Sequence, residues 1–108
     1  MAAIAIVPLG AGQEVGRSCV LVTIGERSVM LDCGIHVGLK GAERFPNFRA
    51  ASASGDYTTC VSAVLVTHFH LDHCGGLPVF TEHCGYRGPV FMTYPTRALC
   101  PLMLEDCR

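Results

Sequence analysis

Six consecutive residues, His68-Phe69-His70-Leu71-Asp72-His73, bring three imidazoles and a carboxylate together. All four are nitrogen or oxygen donors of the kind that hold zinc, and a merely solvated turn does not call for so many at this spacing. In an extended chain His68 and His70 point the same way, so both can reach one ion. Asp72 and His73 then fall where the chain turns, and can face a second ion nearby. Cys74 adjoins the cluster but reads as a small buried thiol rather than a ligand. Gly75 and Gly76 permit a sharp exit and a close approach by neighbouring backbone.

The elements around this stretch read as α/β. Ile4 to Leu9 is a short apolar run, interrupted by Pro8 and closed by Gly10, consistent with a first strand. Cys19 to Ile24 and Ser28 to Asp32 are two more, and the intervening Gly25-Glu26-Arg27 predicts a hairpin. From Cys33 to Thr59 the pattern dissolves into Gly, Ala, Ser, Pro and isolated charges, a long irregular stretch of the kind that is usually functional or mobile. Val61 to Thr67 is apolar without alternation, which predicts an interior strand buried on both faces. The donor cluster follows its carboxyl end, where α/β sheets usually place their sites. Leu77 to His83 reads as a short helix with Pro78 in its first turn, and Pro89 to Thr93 as a strand. Thr96 is the expected N-cap of a last helix running to Cys107, with Pro101 inside it.

Composition narrows the function classes. The 108 residues fit one small domain or part of a larger one. Half of them are hydrophobic and only 16% charged, which excludes a disordered or coiled-coil chain. A formal net charge of -1 offers no basic surface to draw in nucleic acid by charge alone. No apolar run approaches the ~18–20 residues needed to span a bilayer, so no membrane partner is expected. The seven cysteines form no Cys-x-x-Cys pair, which argues against a zinc ribbon. They read as reduced thiols in a cytosolic or nuclear compartment. Gly10-Ala11-Gly12-Gln13-Glu14-Val15-Gly16 is not a dinucleotide loop: its last glycine is one residue late, and strand rather than helix follows. It is either a glycine loop near the metal site or a plain turn. His36 and His83 read as a loop and a helix-end histidine.

His-x-His-x-Asp-His, here His68, His70, Asp72 and His73, resembles the signature of the metallo-β-lactamase superfamily. The resemblance implies that His68 and His70 bind a first zinc, and Asp72 and His73 a second. Asp32, closing the strand Val29-Met30-Leu31, resembles the first motif of that superfamily, where the aspartate orients a ligand through hydrogen bonds; a plain turn aspartate is the alternative. The implied fold is the N-terminal part of an αββα sandwich, residues 1–108 being one portion of the domain. Pro8 to Cys19, Met30 to Gly34 and Thr67 to His70 further resemble the β-CASP nucleases that process RNA 3′ ends. Arg44 to Asn47-Phe48, Gly85 to Pro89, and Pro95-Thr96 with Leu104 to Asp106 resemble the Integrator branch most, with the cleavage-and-polyadenylation branch as the alternative.

That resemblance implies an RNA substrate, two zinc ions, other subunits of an RNA-processing complex and a nuclear location, with the cytoplasm open. It also implies further ligands from later motifs and a β-CASP insertion, neither of which these residues contain. No catalytic residue is therefore expected here beyond the ligands, and this chain alone is expected to hold zinc weakly and not to cut RNA. A thioesterase of the same superfamily and a non-catalytic truncated product are the competing readings.

Overall fold

The computed structural model describes residues 3–107. Five strands form one mixed sheet in sequence order. They are β1 (Ile4–Gly10), β2 (Cys19–Ile24), β3 (Arg27–Leu31), β4 (Ala63–Val66) and β5 (Val90–Met92). The first three are antiparallel neighbours, while β3–β4 and β4–β5 pair in parallel. The hairpin closes as Gly25 and Glu26 lead from β2 into β3, with Ile24 opposite Arg27. Gly25 takes a left-handed φ of 63°, which its missing Cβ permits. Pro8 is tolerated because β1 lies at the sheet edge, where one side of the strand has no ladder to feed.

The parallel crossovers carry the short helices α1 (Tyr57–Cys60) and α2 (Leu71–Cys74), and the chain continues into α3 (Tyr94–Cys107). Helical geometry also runs from Leu77 to His83, with Val79–His83 wound as a π turn. The irregular stretch is less loose than its composition suggests. It folds into two 3-10 turns, Gly41–Arg44 and Phe48–Ala51, before α1, which Asp56 caps by accepting a bond from the Thr59 N–H. Phe48 and Tyr57 then pack on the fully buried Phe80, with ring centroids 4.9 and 5.3 Å away, and Tyr86 stacks on it at 4.9 Å. Burying a ring of that size contributes about 2 kcal/mol.

Two expectations need correction. The last helix begins at Tyr94, not after a cap at Thr96. Pro95 occupies its first turn, where proline lacks nothing the helix needs, so Thr96 lies inside the helix. Nor is β4 buried on both faces. Leu21, Met30 and Val64 align across β2, β3 and β4 and are buried. On the other face Leu65 is 38% exposed, and its neighbours in register include Phe91 at 55%. Ile4, Ile6 and Ile24 continue that open face at 66%, 65% and 54%. An apolar run reports what both faces would tolerate; in these residues only one face is covered.

Candidate metal centre

The parallel register sets the site. Leu31 lies opposite Leu65, so the next residues of each strand, Asp32 and the Val66-Thr67 step, emerge side by side at the carboxyl ends of β3 and β4. The Asp32 N–H completes the ladder by donating to the Leu65 carbonyl at 2.8 Å. Asp32 then turns left-handed, with φ of 63°, a conformation that aspartate tolerates better than most residues. Its side chain, 9% exposed, lies back over the end of β4.

That carboxylate collects donors. The Thr67 N–H reaches Oδ1 at 2.7 Å, and the Thr67 hydroxyl lies 3.1 and 3.0 Å from Oδ1 and Oδ2. His73 Nδ1 is 2.9 Å from Oδ2. A carboxylate only accepts, so Nδ1 carries the proton and the Nε2 lone pair of His73 faces outward. Asp32 lies behind His73 and outside the group of donor atoms that meet.

Backbone contacts fix the turn that bears the donors. The Cys33 N–H donates to the His73 carbonyl at 2.9 Å and the Ile35 N–H to the Leu71 carbonyl at 2.9 Å. Gly76 N–H returns a bond to Cys33 at 2.8 Å, and Ser18 N–H donates to Asp72 at 3.0 Å. These approaches leave no room for a side chain at position 34, where a Cβ would lie 1.7 Å from the Asp72 carbonyl oxygen. Gly75 and Gly76 are similarly pressed, by Ile35 at 2.7 Å and by Gly34 at 2.9 Å, as expected of them. The glycine loop between β1 and β2 ends against this same backbone through Ser18.

Among the described residues, the donor atoms of His68, Asp72 and His73 lie within 4.8 Å of one another. His73 Nε2 and Asp72 Oδ2 are 3.4 Å apart, the ~3.4 Å expected of two ligands about 2.1 Å from one tetrahedral ion. The His68 and His73 rings approach to 3.9 Å between centroids. His70 stands exposed at the N-cap of α2, outside that group of three. Its ring centroid is 4.9 Å from that of His68, edge-on. The structure thus brings His68 together with Asp72 and His73, and leaves the pairing with His70 as a neighbouring contact.

The thiols behave differently. Cys74 is fully buried and donates to the Phe69 carbonyl at 3.2 Å. Burial, with Cys100 as hydrogen-bond partner, pushes its thiol far above the usual range, and its sulfur lies outside the group of donor atoms that meet. Burial likewise pushes Cys19 up to about 12 and Cys33 well up. The six cysteines whose side chains are described are all free. His36 lies in a loop, its Nδ1 accepting from the Gly38 N–H, and His83 ends the π turn.

Residues 12–94, most of the chain, match the metallo-beta-lactamase superfamily, which holds divalent metal. The chain belongs to that superfamily. Over 105 residues, 97% of this chain, it is 60% identical to the Integrator complex subunit 11 homolog of Dictyostelium discoideum. It is 58% identical over 100 residues, 93% of this chain, to cleavage and polyadenylation specificity factor subunit 3-II of Arabidopsis thaliana. Its identity to Integrator complex subunit 11 of Gallus gallus is 54% over all 108 residues. The chain spans 14%, 16% and 18% of the lengths of these relatives. Among the described residues, no helix is long and apolar enough to cross a membrane.

Sequence reasoning missed two residues. Thr67, quoted only as part of a motif, bonds Asp32 across 35 positions, and Gly34 admits the ligand turn. The usable signal was position: a hydroxyl residue directly before the first histidine, and a glycine two residues after the aspartate.

Proposed function

We propose that residues 1–108 form the N-terminal part of the metal-binding domain of a zinc-dependent RNA endonuclease of the Integrator type. The complete protein hydrolyses phosphodiester bonds in RNA 3′-end processing, including that of small nuclear RNA, within a nuclear multi-subunit complex. The observation that carries this reading is the meeting of His68, Asp72 and His73 over a buried Asp32. The identities of 60% and 54% to Integrator subunits support the branch. The 58% identity to a cleavage and polyadenylation subunit supports a second reading, the same chemistry on another class of RNA end.

The donor set fits a divalent cation: nitrogen and oxygen atoms only, one pair already at ligand spacing, and one imidazole fixed from behind. His68, Asp72 and His73 would hold it, with His70 beside His68 for a second ion. Such a metal supplies Lewis acidity toward a phosphodiester oxygen and lowers the pKa of bound water toward neutrality. Asp32 holds His73 by its Nδ1 and keeps that ring from turning. The backbone bonds from Cys33 and Ile35 hold α2 at a fixed distance from β3, so the donors do not drift apart.

In the complete protein, Asp72→Ala or His73→Ala abolishes RNA cleavage and lowers bound zinc measured by elemental analysis, with the fold retained by circular dichroism. Cleavage at the unsubstituted rate would overturn the ligand assignment. Cleavage of thioesters in place of RNA would move the protein to another branch of the superfamily.

A further inference from the structure

We propose that Thr67 is a positioning residue whose hydroxyl sets the tautomer of His68, tying both of the site's meeting histidines to the one carboxylate of Asp32. The inference rests on the metal-site reading above and deepens it.

The argument is a count of protons. Thr67 Oγ1 has one hydrogen and stands near three acceptor-capable atoms: Asp32 Oδ1 at 3.1 Å, Asp32 Oδ2 at 3.0 Å and His68 Nδ1 at 3.1 Å. A bond to a carboxylate is the stronger of the choices, so the hydroxyl donates to Asp32. Its lone pairs then face His68 Nδ1, and that contact is a hydrogen bond only if Nδ1 carries the proton. His68 Nε2 is left bare. His73 reaches the same state directly, through Nδ1 on Asp32 Oδ2 at 2.9 Å. One buried carboxylate therefore presents two imidazole lone pairs, one through a threonine hydroxyl and one without an intermediary.

The Thr67 backbone separates the two effects. Its N–H holds Asp32 Oδ1 at 2.7 Å whatever the side chain is. Removing the hydroxyl therefore unlinks His68 while Asp32 stays in place for His73. Thr67 is exposed and His68 half-buried, so water competes for the vacated positions and the effect falls at the mild end of what losing such a partner costs.

The test uses the complete protein, first metal-free and then with cobalt(II). Long-range proton–nitrogen NMR spectra should report His68 as the Nδ1–H form in the unsubstituted protein. In Thr67→Val they should shift toward Nε2–H, with His73 unchanged. Thr67→Ser should restore the original His68 pattern. Cobalt(II) affinity, followed by its visible absorption, should drop about 10-fold in Thr67→Val and recover in Thr67→Ser. If Val disturbs the amide spectrum, Thr67→Ala removes the hydroxyl without adding bulk. A His68 tautomer indifferent to the hydroxyl overturns the inference, as does unchanged cobalt affinity. A complete, unsubstituted protein that takes up no cobalt overturns the metal reading instead, while the tautomer spectra still judge Thr67.

Discussion

Asp32 does two jobs that different substitutions can pull apart. It occupies a left-handed backbone position, and its carboxylate accepts from His73 and Thr67. Asparagine tolerates the same backbone and keeps one carbonyl oxygen for the Thr67 N–H, but it cannot accept at both side-chain atoms. Where its amide nitrogen faces His73, that imidazole must accept at Nδ1 and carry its proton on Nε2, the nitrogen the metal needs. Asp32→Asn should therefore lower zinc affinity about 10- to 100-fold by calorimetric titration, with a nearly unchanged denaturant midpoint. Asp32→Ala should weaken zinc similarly and lose a further ~1–2 kcal/mol of stability, because alanine is strained at positive φ. Equal zinc affinity in Asp32→Asn would mean that His73 is not oriented from behind.

At the scale of elements, the site is a seam between the exit of β3 and the α2 turn, sewn by backbone bonds through Gly34. Gly34→Ala would put a Cβ against the Asp72 carbonyl carbon and oxygen, both parts of a backbone that cannot swing aside. Denaturation should show a loss of at least ~2 kcal/mol, as expected when a packed seam is forced open. Gly41→Ala is the control: nothing lies within 4 Å of its Cβ, and only the strain of φ 69° remains, about 1 kcal/mol. A loss at Gly34 no larger than at Gly41 would show that the seam yields freely. The seam also explains what could be read in advance. The bounds of β2 were legible because its apolar run ends cleanly at Gly25, and the donor cluster because it is contiguous. Asp32 was legible as the residue closing a strand. Thr67 and Gly34 were not, since their partners lie 35 residues and more away and meet only once β3 and β4 pair in a particular register. The start of α3 was misjudged for a local reason: Thr96 suits a cap, but Pro95 suits a first turn equally well.

For the whole molecule, the imbalance between the two sheet faces has the largest consequence. One face is closed by Phe80 and the helices, while the other presents Ile4, Ile6, Ile24, Leu65 and Phe91 to water in adjoining strands. Contiguous apolar surface of this kind marks a place where protein is normally buried, and it carries a cost of about 25 cal/mol for every Å² left wet. Charge offers little protection, since the chain is nearly neutral at -1. The 108 residues on their own should therefore bind a hydrophobic dye and associate as concentration rises, seen as growing mass in sedimentation. Ile6→Lys with Phe91→Lys places two cations on that face, at positions whose side chains already reach solvent, so the buried face and the metal seam are undisturbed. The double variant should stay monomeric at concentrations where the original associates, bind less dye, and keep its cobalt affinity. If association persists with unchanged dye binding, the open sheet face is not the adhesive surface. If cobalt affinity falls with it, the two faces of the sheet are coupled, contrary to the separation that the alternating side chains of β4 imply.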